Sequence, residues 1–206
     1  MNSFIWDDYL LKTRMKEEFE LLSEYFQQRL NNSGAKILDI GCATGELSIT
    51  LAEKGFNVIG IDYSSLMIKK AKNKIVGRSD LELSFICADF NRQLPFSAGE
   101  FDLIICRHTF NASLNKSTFT KEIKRITANN GLVFQACKYF NVGKKKNYKK
   151  GILQYLVHSL KPIVFMNKND TVNREEIITL FKQNNFRLID EKLSDYNYSL
   201  LFYINK

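Results

Sequence analysis

The stretch Ile37-Leu38-Asp39-Ile40-Gly41-Cys42-Ala43-Thr44-Gly45 decides how this chain folds. Its first four residues form an apolar run interrupted by a single acid. Gly41 to Gly45 make a turn of small residues, and an amphipathic stretch, Glu46 to Lys54, follows at once. An apolar run bounded by a glycine turn and followed by helical periodicity predicts a buried parallel strand handing over to a helix. Glycine at such a crossover lets the main chain approach a ligand closely, because no Cβ stands in the way. The strand-end acid is placed to accept hydrogen bonds from the turn or from the ligand. Nucleotide-like cofactors bind at this position in α/β folds.

Spacing narrows the choice of cofactor. A dinucleotide fingerprint has glycines at relative positions 1, 3 and 6; Gly41 and Gly45 stand four apart, with Ala43 between them. A phosphate-binding loop needs Gly-Lys-Ser/Thr, and Gly45-Glu46-Leu47 puts an acid there instead, which repels phosphate. Further pieces follow in order. Asn57 to Asp62 is a second buried strand ending in an acid, roughly 20 residues beyond Asp39, where a carboxylate can hold both hydroxyls of a ribose. Tyr63-Ser64-Ser65-Leu66-Met67 comes next, with Ser64 as a helix N-cap. A third strand, Leu83 to Ala88, delivers Asp89-Phe90. Leu94-Pro95-Phe96 precedes Phe101-Asp102-Leu103-Ile104-Ile105-Cys106, a fourth strand, and Gly131 to Cys137 is a fifth.

These motifs, in this order, resemble the class I S-adenosylmethionine (SAM) dependent methyltransferases, in the small-molecule branch often called type 11. The family's first motif runs hydrophobic-hydrophobic-Asp-hydrophobic-Gly-x-Gly-x-Gly, and this chain departs from it at Ala43. The similarity covers residues 35 to 138 well and the last 35 or so loosely. It implies SAM as the cofactor, held at Asp39, Gly41, Cys42, Ala43 and Gly45. It gives Asp62 the ribose hydroxyls, places Tyr63 and Met67 beside the adenine, and has Asp89 accept from the adenine amino group while the backbone at Phe90 reads the ring. Cys106, at the end of the fourth strand, joins the cofactor contacts, and Tyr9 or Trp6 closes over the methionine end. Plainer roles stand beside these: Asp39 as a turn acid, Asp62 as a helix-start acid, Asp89 as a loop acid, Met67 as core filling. Asp102, at the start of its strand, is structural.

The implied fold is a three-layer, Rossmann-like α/β sheet, mostly parallel with an antiparallel last strand. Strands are expected at 36–41, 57–62, 82–88, 101–106 and 131–138. Helices are expected at 14–30, 45–54, 64–76 and 116–128. Helix 173–184, with Asn173 as N-cap and Ile177, Ile178 and Phe181 on one face, leads into an antiparallel pair at 186–193 and 198–205. The whole forms a single domain: a helical arm (1–30), a SAM-binding core (35–138), an insertion (139–170) and a C-terminal helix and strand pair (171–206). The insertion holds Lys144, Lys145, Lys146, Lys149 and Lys150, then the apolar run Ile152 to Val157. It is expected to form a helical lid over the acceptor pocket, with Tyr139, Tyr155 and His158 inward and the lysines at its rim.

At 206 residues the chain suits one α/β domain with a sizeable core. No apolar run approaches the roughly 20 residues that span a bilayer, and Met1 to Asp8 lacks the basic flank and apolar core of a signal peptide. The four cysteines, Cys42, Cys87, Cys106 and Cys137, have no paired spacing, so no metal site or disulfide is expected. They read as small core residues in a reducing, cytoplasmic compartment. The net charge of +8 permits nucleic-acid binding without a recognisable RNA module to direct it.

For chemistry, the Arg107-His108 pair at the end of the fourth strand is the candidate catalytic element. Imidazole titrates near neutrality and suits a general base for a hydroxyl or carbon acid. Arg107 suits steering of an anionic acceptor. No Asn-Pro-Pro-Tyr/Phe motif is present, which argues against amide or base methylation of the common kind. The expected partner is a small molecule, anionic where Arg107 steers it. Docking of tRNA or protein on the lysine cluster, and a SAM-binding module without transferase activity, remain open.

Overall fold

The computed structural model describes residues 3–30, 34–138, 174–193 and 197–205. The insertion 139–170, with its lysines, Tyr139, Tyr155 and His158, lies outside them, as does Asn173. Among the described residues the elements run α1 (Ser3–Leu30), β1 (Lys36–Ile40), α2 (Glu46–Glu53), β2 (Asn57–Asp62), α3 (Ser65–Lys74), β3 (Leu83–Cys87) and β4 (Phe101–Arg107). A short 3-10 turn (Phe110–Ala112), α4 (Lys116–Ile126), β5 (Thr127–Lys138), α5 (Arg174–Gln183), β6 (Phe186–Leu193) and β7 (Asn197–Ile204) complete them. Two boundaries differ from expectation by more than two residues. Helix α1 starts at Ser3, a full three turns before residue 14. Strand β5 starts at Thr127, because Thr127 pairs with Phe101 ahead of an irregularity in the β4–β5 ladder.

Seven strands form one sheet in the order β3-β2-β1-β4-β5-β7-β6. The pairings from β3 through β5 are parallel. Strand β7 alone runs antiparallel, to β5 on one side and β6 on the other. The chain leaves β1 toward β2 on one side and later returns to β4 on the other. That reversal puts a crevice between the carboxyl ends of β1 and β4, the place where open α/β sheets bind ligands.

Alternation along each strand sends neighbouring residues to opposite faces. On one face Ile37, Val58, Leu103, Ile105 and Phe134 pack against Phe19 and Phe26 of α1 and Leu47 and Leu51 of α2. Beside them Phe85 meets Ile68 and Ala71 of α3. On the other face Leu38, Ile40, Ile104, Val133 and Phe202 pack against Phe119, Ile123 and Ile126 of α4 and Ile177, Ile178 and Phe181 of α5. Three layers result. The start of β4 is tied to β1 by Asp102, whose carboxylate accepts from the Lys36 amide at 2.8 Å. That contact gives Asp102 the structural role its position predicts.

Candidate functional site

Four parallel strands end along the same edge of the sheet: Ile40-Gly41, Asp62, Cys87 leading to Asp89, and Arg107-His108. The Gly41–Gly45 turn is built from the inside out. The amides of Gly41 and Cys42 both donate to the carbonyl of Ile61, at 2.8 and 2.9 Å, so the turn sits on the end of β2. Gly41 and Gly45 have φ of 78° and 79°, the left-handed region that favours glycine. Neither has room for a side chain. A Cβ on Gly41 would stand 2.2 Å from Thr109 Oγ1, and one on Gly45 would stand 2.4 Å from Phe85 Cζ. Ala43 also lies in the left-handed region, at φ 51°. The residue that departs from the family motif therefore takes a conformation that glycine adopts without strain, at a cost of about 1 kcal/mol.

Asp62, half-buried, is the hub of the turn. One carboxylate oxygen accepts from the Ala43 amide at 3.0 Å, and the other accepts from the Ser64 amide at 2.8 Å. Each oxygen keeps a further lone pair, which fits the two hydroxyl donors of a ribose. Ser64 caps α3 by accepting from the Met67 amide at 3.4 Å. Met67 is half-buried on that first turn, and Tyr63 is 68% exposed. Asp89 is exposed beyond β3, its Oδ1 accepting from the amide and the side-chain nitrogen of Asn91. Those bonds, with Arg92 beside it, hold its carboxyl below the usual range and keep it an acceptor. These features fit a SAM-sized ligand: Asp62, bonded to the turn, and Asp89, beyond the neighbouring strand end, are two carboxylates with acceptor capacity to spare.

Asp39 is only 3% exposed and accepts from Ser48 Oγ at 2.7 Å. Burial pushes its carboxyl up to about 6, against the lowering influence of Ser48 and Arg107. Its carboxylate ties the end of β1 to α2 through Ser48. Cys42 and Cys106 are buried, with thiols raised mainly by desolvation. The Cys106 side chain faces the core under α4 and α5, away from the crevice. Phe90 is likewise buried, edge-on to Phe119, which leaves its backbone as the part able to face a ligand. Cys87 is exposed, unlike the core residue expected from its place in a strand. Tyr9 lies on α1, and its side chain is outside what the structure describes.

At the end of β4, the Arg107 guanidinium pairs with Glu18 at 2.9 Å and lies 4.9 Å from the Phe19 ring centre. Both contacts tie the end of β4 to α1. His108 is half-buried at the edge with φ 60°, a left-handed conformation that non-glycine residues adopt under constraint. Its amide donates to Ala136 O at 2.7 Å. Spacing offered no signal for three other residues that shape the site. Thr109 donates from Oγ1 to Ile40 O at 2.7 Å, Ser48 holds Asp39, and Lys74 Nζ reaches Thr44 O at 2.7 Å and Glu46 at 2.6 Å. All three act across long sequence separations or from a helix face of unremarkable pattern.

Comparison with known proteins places this geometry. A family model described as "Methyltransferase domain" matches residues 31–187. YqeM of Bacillus subtilis is 34% identical over 109 residues, 52% of this chain and 42% of that protein. The ubiquinone biosynthesis O-methyltransferase of Coxiella burnetii is 36% identical over 83 residues, 40% of this chain and 35% of that one. The matches thus span less than half the length of these relatives. A crystal structure of a SAM-dependent methyltransferase from Aquifex aeolicus superposes with TM-score 0.64 at 17% identity, covering 88% of this chain and 89% of that one. With the glycine turn, the two strand-end acids and the sheet order in place, the chain belongs to the SAM-dependent methyltransferase family, of the type 11 kind, with SAM as the cofactor its family and fold imply.

Proposed function

We propose that this chain transfers a methyl group from SAM to a small-molecule nucleophile by direct in-line displacement. The observation that carries the reading is the convergence at one sheet edge of the Gly41–Gly45 turn, the acids Asp62 and Asp89, and the His108 corner. SAM supplies an electrophilic methyl group, so the protein's task is to align a nucleophile and exclude water. Asp62 offers its remaining lone pairs to the ribose hydroxyls. Asp89 accepts from the adenine amino group, with the backbone at Phe90 against the ring and Tyr63 and Met67 flanking it. Gly41, Cys42, Ala43 and Gly45 bring main chain against the methionine half, and the family resemblance assigns Tyr9 or Trp6 to close over it. His108 takes or orients the proton of a hydroxyl or carbon-acid acceptor. Arg107 acts on the acceptor side only by placing α1. A small acceptor agrees with the name of the Coxiella relative, an O-methyltransferase of ubiquinone biosynthesis.

No helix among the described residues is long and apolar enough to cross a membrane. The four free cysteines suit a reducing compartment, and we place the reaction in the cytoplasm. The test is transfer of radiolabel from methyl-labelled SAM into a fractionated metabolite pool and, separately, into total tRNA and protein. Label in a small-molecule fraction is the expected outcome. Label only in tRNA or protein would replace this reading with macromolecular methylation. SAM binding without transfer to any fraction would leave a SAM-binding module.

A further inference from the structure

The crevice between β1 and β4 opens because their ladder stops early. Paired positions run Ile37–Leu103, Leu38–Ile104 and Asp39–Ile105, and go no further. Ile40 is still strand on the β2 side, opposite Ile61, yet toward β4 it has passed the last paired position. Its carbonyl is deeply buried beside a core side chain, where an unpaired acceptor is costly. One side chain crosses the gap: Thr109, itself 6% exposed, donates from Oγ1 to Ile40 O at 2.7 Å. A second acceptor, Arg107 O, lies farther away at 3.2 Å. A hydroxyl has one proton to give, and the shorter contact takes it.

The same hydroxyl supports the underside of the cofactor turn. Gly41 fits over it so closely that a Cβ there would come within 2.2 Å of Oγ1 and 3.0 Å of Cγ2. Thr109 is in turn held on both flanks. Its own carbonyl accepts from the Ala112 amide at 2.9 Å, and the preceding residue, His108, bonds β5 through Ala136 at 2.7 Å. Hydrogen bonds thus link β5, through the β4 corner, to Ile40, the residue that leads into the turn.

We propose that Thr109 is a positioning residue for the cofactor: its hydroxyl fixes the gap between β1 and β4 and thereby the height of the Gly41–Gly45 turn at which SAM binds. The proposal rests on the SAM-binding part of the reading above. It separates from simple packing because the two ideas rank conservative variants in opposite order. Thr109→Val keeps the branched shape and removes only the donor. Thr109→Ser keeps the donor and removes a methyl group.

The experiment is calorimetric titration of SAM into the full chain as wild type, Thr109→Val and Thr109→Ser, with thermal melts of each. The expected result is SAM binding about tenfold weaker in Thr109→Val and within about threefold of wild type in Thr109→Ser, the size expected for one hydrogen bond. Valine binding as well as wild type, or serine binding more weakly than valine, would overturn the proposal. Should Thr109→Val fail to fold, Thr109→Cys takes its place as a poor donor. Weak binding in cysteine but not serine supports the hydroxyl, and equal binding in the two overturns it. A wild-type chain that binds no SAM would defeat the underlying reading itself, a result distinct from any ranking of the variants.

Discussion

At the ends of β1 and β2 the site is made of main chain held from below. Gly41 and Cys42 hang from the Ile61 carbonyl, Ala43 from Asp62, and Thr44 from Lys74, with Thr109 and Asp39 buried. At the ends of β4 and β5 the site is made of side chains that the main chain merely presents. Arg107 turns aside to Glu18 and Phe19 of α1, His108 stands half-buried in a left-handed corner, and past Lys138 the chain leaves the described residues. A cofactor shared across a family is gripped by backbone geometry that tolerates few sequences. An acceptor particular to one enzyme is gripped by side chains and insertions that can be exchanged without disturbing the sheet. Damage to the first half should therefore appear as lost folding and lost SAM binding together. Damage to the second half should appear as lost turnover with SAM binding intact.

The largest expected effect is at the first half. Gly41→Ala forces a Cβ against Thr109 and a left-handed backbone on alanine. Overpacking and backbone strain together should remove about 4 kcal/mol of folding stability, read by urea denaturation. Combining it with Thr109→Ala should restore part of that loss, since the clash partner is gone. Additive losses would show that the turn and the β4 corner are not in register as described.

Asp39 tests the same half through pH. Its carboxyl is raised to about 6 by burial, above its unfolded value, so the folded state holds its proton more tightly than the unfolded one. Stability from this residue is full below about pH 4 and falls as pH rises through about 6, by up to about 3 kcal/mol. Asp39→Asn should flatten that slope, so that wild type gains on the variant as pH is lowered from 7 to 5. Parallel profiles for the two proteins would return Asp39 to an ordinary, hydrated acid.

His108 sharpens the contrast from the other side. Asparagine tolerates the left-handed backbone, so His108→Asn is the cleaner probe of the imidazole. Once an acceptor is in hand, turnover should fall about a hundredfold with SAM affinity unchanged. Equal losses of stability and turnover would make His108 a structural corner only.

Two smaller changes bound the account. Arg107→Met should cost about 1 kcal/mol, the value of a partly exposed ion pair and a cation–π contact. Its KM for an anionic acceptor should stay within about twofold, in keeping with an anchor for α1; a large rise in KM would restore the steering role that sequence position suggests. Ala43→Gly should stabilise the chain by about 0.5 kcal/mol, relief of left-handed strain being partly offset by glycine's freedom in the unfolded state. Destabilisation on denaturant titration would mean that the alanine methyl group is packed to advantage.

The same division explains what the sequence disclosed. Asp39, Gly41, Gly45, Asp62 and Asp89 are legible because backbone turns impose residue types at fixed spacing, and the strand ends that carry them follow from apolar runs. The antiparallel pair β6–β7 and the Ser64 cap are legible for the same local reason. Thr109, Ser48 and Lys74 are not, because each acts on a partner that only the folded sheet brings near. Position at or just past a strand end told that Cys106 and Phe90 lie beside the edge, but not that their side chains turn into the core. Arg107 was legible as an edge residue and illegible as an α1 anchor, since nothing local links it to Glu18, 89 positions away. The insertion 139–170, where acceptor choice is expected to reside, lies outside the described residues.

The most direct test of the central claim is calorimetry of the wild-type chain and Asp62→Ala with SAM, its demethylated product and NAD. The account predicts binding of SAM and product in the low micromolar range or tighter and no binding of NAD. It predicts at least about tenfold weaker SAM binding in the variant, because the ribose contact and the Ala43 tether are lost together. Unchanged SAM affinity in Asp62→Ala, or binding of NAD in place of SAM, would contradict it.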